Sequence, residues 1–152
     1  MVRLLVVGGS GYLGSRIVRQ ALKAGHAVTS LSRRGRPTDT VTPASELAGA
    51  EWIAGDVTDS AAVASAVDKA DAVITTLGVF GSNAYMRSIN GDANIAIARA
   101  AKEAGGEQKK WTSWQRTVPP PTRAPDDRIF VRVQAFITIS KPSLIVEPFL
   151  TL

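Results

Sequence analysis

The chain has 152 residues, enough for one domain and too few for a multidomain enzyme. Hydrophobic residues make up 45% and charged residues 20%, a composition that folds around a core and is not that of a disordered chain. There is no cysteine and only one histidine, which excludes a disulfide scaffold, a thiolate or multi-histidine zinc site and a cysteine nucleophile, while the net charge of +5 is spread too thinly to argue for nucleic acid.

In chain order, Met1–Val7 carries one basic residue and an apolar run that stops at Gly8, so it reads as a strand over Leu4–Val7 and not as a secretory signal. With no visible address, cytosol is the default location. Leu13, Ile17, Val18, Ala21 and Leu22 form a helical stripe that Gly25 ends. His26–Ser32 is a second strand and Trp52–Ala54 a third. Asp59 is placed to cap a helix through Val63 and Val67 to about Lys69. Ala72–Thr76 is a fourth strand. Ile89, Ala93, Ile97, Ala100, Ala101 and Ala104 make another helical stripe, ended by Gly105. No apolar stretch approaches the ~20 residues of a membrane helix.

The composition then breaks. All 13 glycines lie at or before Gly106, while six of the eight prolines lie after it. Residues 1–106 are expected to form a regular α/β region and 107–152 a divergent tail. Within that tail Trp111–Asp127 reads as loop, and Ile129, Val131, Val133, Ala135, Ile137 and Ile139 alternate with period two, as in one long strand. Strands alternating with helices imply a parallel sheet with right-handed crossovers, in the order 3-2-1-4, with the tail strand as an added edge. The expected fold is α/β, an open parallel Rossmann-like sheet with helices on both faces, incomplete at its C-terminal side.

The strongest motif is Gly8-Gly9-Ser10-Gly11-Tyr12-Leu13-Gly14, between a predicted strand and a predicted helix. An early glycine permits the tight turn, Gly11 lets a pyrophosphate approach the backbone, and Gly14 lets the helix pack closely on the sheet, so that Gly8, Gly11 and Gly14 hold the pyrophosphate. Ser10, Tyr12 and Leu13 supply backbone contacts, because the first amides of a helix and its dipole attract a phosphate. A cofactor's ribose belongs at the end of the second strand, where sites that prefer NAD usually hold Asp or Glu. Here Ser32, Arg33 and Arg34 stand instead. An arginine pairs with a 2′-phosphate, and one charge-assisted bond of about 1.5–3 kcal/mol favours NADP over NAD by about ten- to a hundredfold.

These segments resemble the short-chain dehydrogenase/reductase superfamily in its atypical branch. Gly55-Asp56-Val57-Thr58-Asp59 is similar to that family's segment after strand three, which implies that Asp56 and Val57 face the adenine. Thr75-Thr76-Leu77-Gly78 is similar to the segment lining the nicotinamide side, which implies contacts from Thr76, Leu77 and Gly78 to the inner ribose. More narrowly, residues 78–83 and 89–94 resemble plant and algal relatives of the Rossmann-type accessory subunit of mitochondrial complex I. Fungal relatives of that group act in ubiquinone biosynthesis. The resemblance covers residues 3–105 and implies an NAD(P)-binding protein of a family found largely in mitochondria or plastids.

The departures carry weight too. Catalytic members use Tyr-x-x-x-Lys, in which lysine lowers the tyrosine's pKa. Tyr85 is followed four residues on by Ile89, and Tyr12 by Arg16, so neither matches. The chain is therefore expected to bind NADP (or NAD) without turning over a substrate. Two alternatives stand beside this: a non-catalytic assembly or stability subunit tied to complex I or quinone biosynthesis, and a truncated oxidoreductase lacking its substrate region. The abrupt break favours a tail that departs from its natural frame or splice, which transcript sequencing across the codons for Gly105–Trp114 tests.

His26 and the pair Asp56 and Asp59 are better explained structurally than as catalytic groups. Trp111, Trp114, Lys109, Lys110, Arg116 and Arg123 form a basic aromatic patch of the kind that stacks single-stranded nucleic acid, although basic loops are usually just solvated. The apolar tail could instead dock to a protein partner or a membrane surface.

Overall fold

Leu4, Leu5, Val6 and Val7 are all buried because the strand they form, β1 (Arg3–Val7), is covered on both faces. The computed structural model describes residues 1–37, 42–105, 110–114 and 135–139. In it β1 is flanked in parallel by β2 (Ala27–Ser32) and by β4 (Ala72–Thr75), and β3 (Glu51–Ala54) pairs in parallel with β2. The order β3-β2-β1-β4 is the one expected from the sequence.

Successive residues of β1 alternate between two cores. Leu4 and Val6 join Val18 and Ala21 of α1 (Tyr12–Lys23) on one face. Leu5 and Val7 join Val63 and Val67 of α2 (Ser60–Asp68) and Ile97 and Ala101 of α4 (Asn94–Ala104) on the other. This period of two on strands and of three to four on helices makes the sheet doubly wound. Asp59 caps α2 as expected, its carboxylate accepting from the amides of Ala61 at 3.0 Å and Ala62 at 3.2 Å.

Two elements differ from the sequence reading. The helix after β4 starts earlier than Ile89, with α3 (Asn83–Met86) and a π-helical turn over Arg87–Ala93 leading into α4. Ser82 accounts for the start, because its hydroxyl accepts from the Tyr85 amide at 3.3 Å.

The other difference lies in the tail. β5 (Lys110–Trp114) and β6 (Ala135–Ile139) extend the sheet to β3-β2-β1-β4-β6-β5, with β6 antiparallel to both of its neighbours. The stretch from Trp111, read as loop, thus begins as a strand. Trp111, Thr112 and Trp114 are good strand formers, and the flanking Lys109, Lys110 and Gln115 mask them. The tail strand expected at the sheet's edge corresponds in its last part to β6, which is not the edge: β5 pairs beyond it and takes that place. Ile129, Val131, Val133, the remaining loop to Asp127 and the patch residues Lys109, Arg116 and Arg123 lie outside the described residues.

Candidate functional site

The carboxyl ends of β1, β2 and β4 converge, as their hydrogen bonds show. The amide of Gly8 donates to the carbonyl of Leu31 at 2.8 Å, and that of Thr76 to the carbonyl of Val7 at 2.9 Å. Above these ends lies a cleft of about 510 Å³. Crevices at this end of an open parallel sheet are where such folds bind ligands.

The glycine loop forms the middle of the cleft. Gly8 turns the chain with φ +87°, a conformation that side chains rarely adopt. A Cβ at Gly14 would overlap the Gly8 carbonyl oxygen and stand 2.7 Å from Cα of Gly9. The close approach that Gly14 permits is thus of the helix to the loop itself, not to the sheet as read from the sequence. Gly11 is different. Its φ of −79° is open to any residue, and a Cβ there would meet only the Gly8 carbonyl oxygen, at 3.2 Å. It leaves space on the cleft side of the loop.

Gly11 is also the N-cap of α1. No side chain caps this helix, and no acidic residue stands in its first turn. The positive end of the dipole and the first-turn amides are therefore presented without a counter-charge from the protein. Space at Gly11 and an uncapped helix end together fit a diphosphate.

At one end of the cleft stand Ser32, Arg33, Arg34, Asp56 and Val57, with Arg36, Pro37 and Thr58 beside them. The Ser32 hydroxyl is turned inward and donates to the Gly35 carbonyl at 2.7 Å, so it shapes the arginine turn rather than facing a ligand. The return of that loop is tied down where the Thr42 hydroxyl donates to Ser15 of α1 at 3.2 Å. The Asp56 carboxylate accepts from the Thr58 amide at 2.9 Å and its hydroxyl at 2.8 Å. These hydrogen bonds, with a smaller contribution from the charge of Arg33, hold its pKa below the usual carboxylate value.

At the other end stand Thr76, Leu77 and Gly78, with Val79, Tyr85, Ser88 and Ile89. The Thr76 hydroxyl donates to the Val7 carbonyl at 3.0 Å, which ties β4 to β1 and leaves the residue's backbone to line the cleft. Asn90 brackets Val79: its Oδ1 accepts from the Val79 amide at 2.9 Å and its Nδ2 donates to the Val79 carbonyl at 3.0 Å. Asn94 is buried, accepts from the Thr75 hydroxyl at 2.7 Å and donates to the carbonyls of Ile89 at 3.3 Å and Asn90 at 3.2 Å, in the π-helical turn.

Of the residues singled out in the sequence, Gly8, Ser10, Gly11, Ser32, Arg33, Arg34, Asp56, Val57, Thr76, Leu77 and Gly78 meet at the cleft. Tyr12, Leu13 and Gly14 do not line it. They open α1 behind the loop, with the Tyr12 ring exposed and covered by the Arg16 guanidinium 3.8 Å from its centre. The sequence reading missed Arg36, Tyr85, Ser88, Ile89, Asn90 and Asn94. The spacing of 85, 88 and 89 (one helical face) was the available signal, once the helix is known to start at Asn83.

A family model described as NAD(P)H-binding matches residues 8–127, running past Gly105 where the sequence resemblance stops. An uncharacterized chloroplastic protein of Arabidopsis thaliana is 38% identical over 113 residues, 68% of this chain and 33% of its own length. An isoflavone reductase homolog of Zea mays is 40% identical over 80 residues, 50% of this chain and 26% of its own. The photosystem II assembly factor Ycf39 of Synechocystis is 31% identical over 105 residues, 68% of this chain and 31% of its own. The chain thus spans about a quarter to a third of the length of these relatives. Among solved structures, the Bordetella bronchiseptica enzyme WbmG, in complex with NAD and UDP, superposes with a TM-score of 0.57 at 28% identity, over 68% of this chain and 35% of that one.

Proposed function

This chain belongs to the NAD(P)H-binding family, with a Rossmann-like fold of the atypical short-chain dehydrogenase/reductase kind, and we propose that its cleft holds NADP(H) in preference to NAD(H) without turnover by this chain alone. The single observation that carries the reading is the continuity of the cleft. It runs from the arginine turn, across the uncapped end of α1 at Gly11, to the end of β4. A dinucleotide has the same three parts in the same order. Its diphosphate rests against Gly8, Ser10 and Gly11, at the positive end of the α1 dipole. Arg33 and Arg34 meet the 2′-phosphate, Asp56 and Val57 border the adenine, and the backbone of Thr76–Gly78 borders the inner ribose.

When bound, NADPH would carry a transferable hydride at its nicotinamide ring. The chain's own contribution is to bind and orient it, since Tyr12 and Tyr85 both lack the lysine four residues on that makes tyrosine a proton donor in this family. Calorimetric titration with NADPH and NADH, alongside Arg33→Ala and Arg34→Ala, tests the reading. The wild type is expected to prefer NADPH by about ten- to a hundredfold, and the double substitution to erase most of that preference. Equal affinities in the wild type contradict the 2′-phosphate assignment, and hydride transfer by the 152-residue chain contradicts the absence of turnover.

A second reading is favoured by one relative, the photosystem assembly factor. In it the cofactor is a structural element of an assembly or stability subunit, the class to which the complex I and quinone-biosynthesis resemblance also points. A third is that an oxidoreductase's substrate region lies beyond the part spanned here, as the relatives' greater lengths allow.

A further inference from the structure

We infer that the ring of Tyr85 is the face against which the nicotinamide of the bound cofactor stacks, an inference that rests on the cofactor reading above. The sheet order puts β2 and β3 on one side of β1 and β4 on the other. With the diphosphate at the start of α1 and the 2′-phosphate at the arginine turn, the second nucleoside lies over the end of β4. The aromatic side chain lining that end of the cleft is Tyr85.

The ring is 40% exposed, so it is not there to fill the core. The residue's backbone is held, the amide donating to the Ser82 hydroxyl at 3.3 Å, and the ring stands where a Cβ on Gly81 would come within 3.2 Å of it, so a glycine there leaves it room. Val79, which lines the same end of the cleft, is held by Asn90 through both backbone groups. Among the described residues the other exposed aromatics are placed differently: Tyr12 is stacked by Arg16, and Phe80 does not line the cleft. A flat, half-exposed ring on a held backbone suits a flat heterocycle at low entropic cost. This use of the ring needs no lysine, so the Ile89 that disqualifies Tyr85 as a proton donor does not bear on it.

The experiment is calorimetric titration of the full chain with two probes, NADPH and adenosine 2′,5′-bisphosphate. The second fills the adenosine half alone. Tyr85→Phe should bind both as the wild type does. Tyr85→Leu and Tyr85→Ala should bind NADPH about two- to tenfold more weakly and the bisphosphate unchanged. The leucine variant keeps most of the side-chain bulk, so a folding defect in the alanine variant does not leave the question open. NADPH affinity equal to wild type in both variants overturns the inference. So does equal weakening of both probes, which marks a structural role. A wild type that binds neither probe overturns the cofactor reading itself, and this inference with it.

Discussion

At the residue scale, the site depends on what is missing as much as on what is present. Gly14 has no room for a side chain, because the atoms in the way belong to the backbone of Gly8 and Gly9 and cannot rotate aside. Gly14→Ala is therefore expected to destabilise the fold by about 1–3 kcal/mol through overpacking. A lowered melting temperature, by several degrees for a chain of this size, is the measurement that checks it. Asp56 offers a pH test. Its folded pKa is depressed, chiefly by the two hydrogen bonds from Thr58. A depressed carboxylate contributes stability that is present above its unfolded value of about 4 and lost as the pH falls through the lower folded value. NMR titration of the Asp56 carboxyl should find its midpoint below that of an ordinary aspartate, and Thr58→Ala should move it upward.

At the scale of elements, a strand and a helix are joined by one buried amide. Asn94 accepts a hydrogen bond from the Thr75 hydroxyl at the end of β4 and donates to the carbonyls of Ile89 and Asn90 in the π-helical turn. Asn94→Leu leaves that buried hydroxyl without its acceptor and removes both donations, an expected loss of about 1–3 kcal/mol by chemical denaturation. β1 to β4 and the helices α1, α2 and α4 were legible in the sequence from their apolar residues, as with Val18 and Ala21 or Ile97 and Ala101, whereas α3, which buries no residue, was not. The glycine loop and the arginine turn were legible from chemistry and position. What stayed hidden depends on three-dimensional partners. The inward turn of the Ser32 hydroxyl requires the Gly35 carbonyl, and the Asn90 bracket requires Val79 to be folded back beside it. Lys110–Trp114 forms a strand only because β6 is there to pair with it.

At the scale of the whole molecule, the sheet does one thing: it brings the ends of β2, β1 and β4 to a single cleft, with a helix end at its centre. Everything functional proposed for this chain depends on a diphosphate resting on that helix end. The sharpest test places a carboxylate there. Aspartate is a favourable N-cap and complements the dipole, which works against the 3.2 Å approach of its Cβ to the Gly8 carbonyl oxygen, so Gly11→Asp should stay folded, as its melting curve checks. It should also lose NADPH binding in a calorimetric titration, because a negative charge would occupy the position of the diphosphate. NADPH binding by Gly11→Asp with the affinity of the wild type would contradict the account.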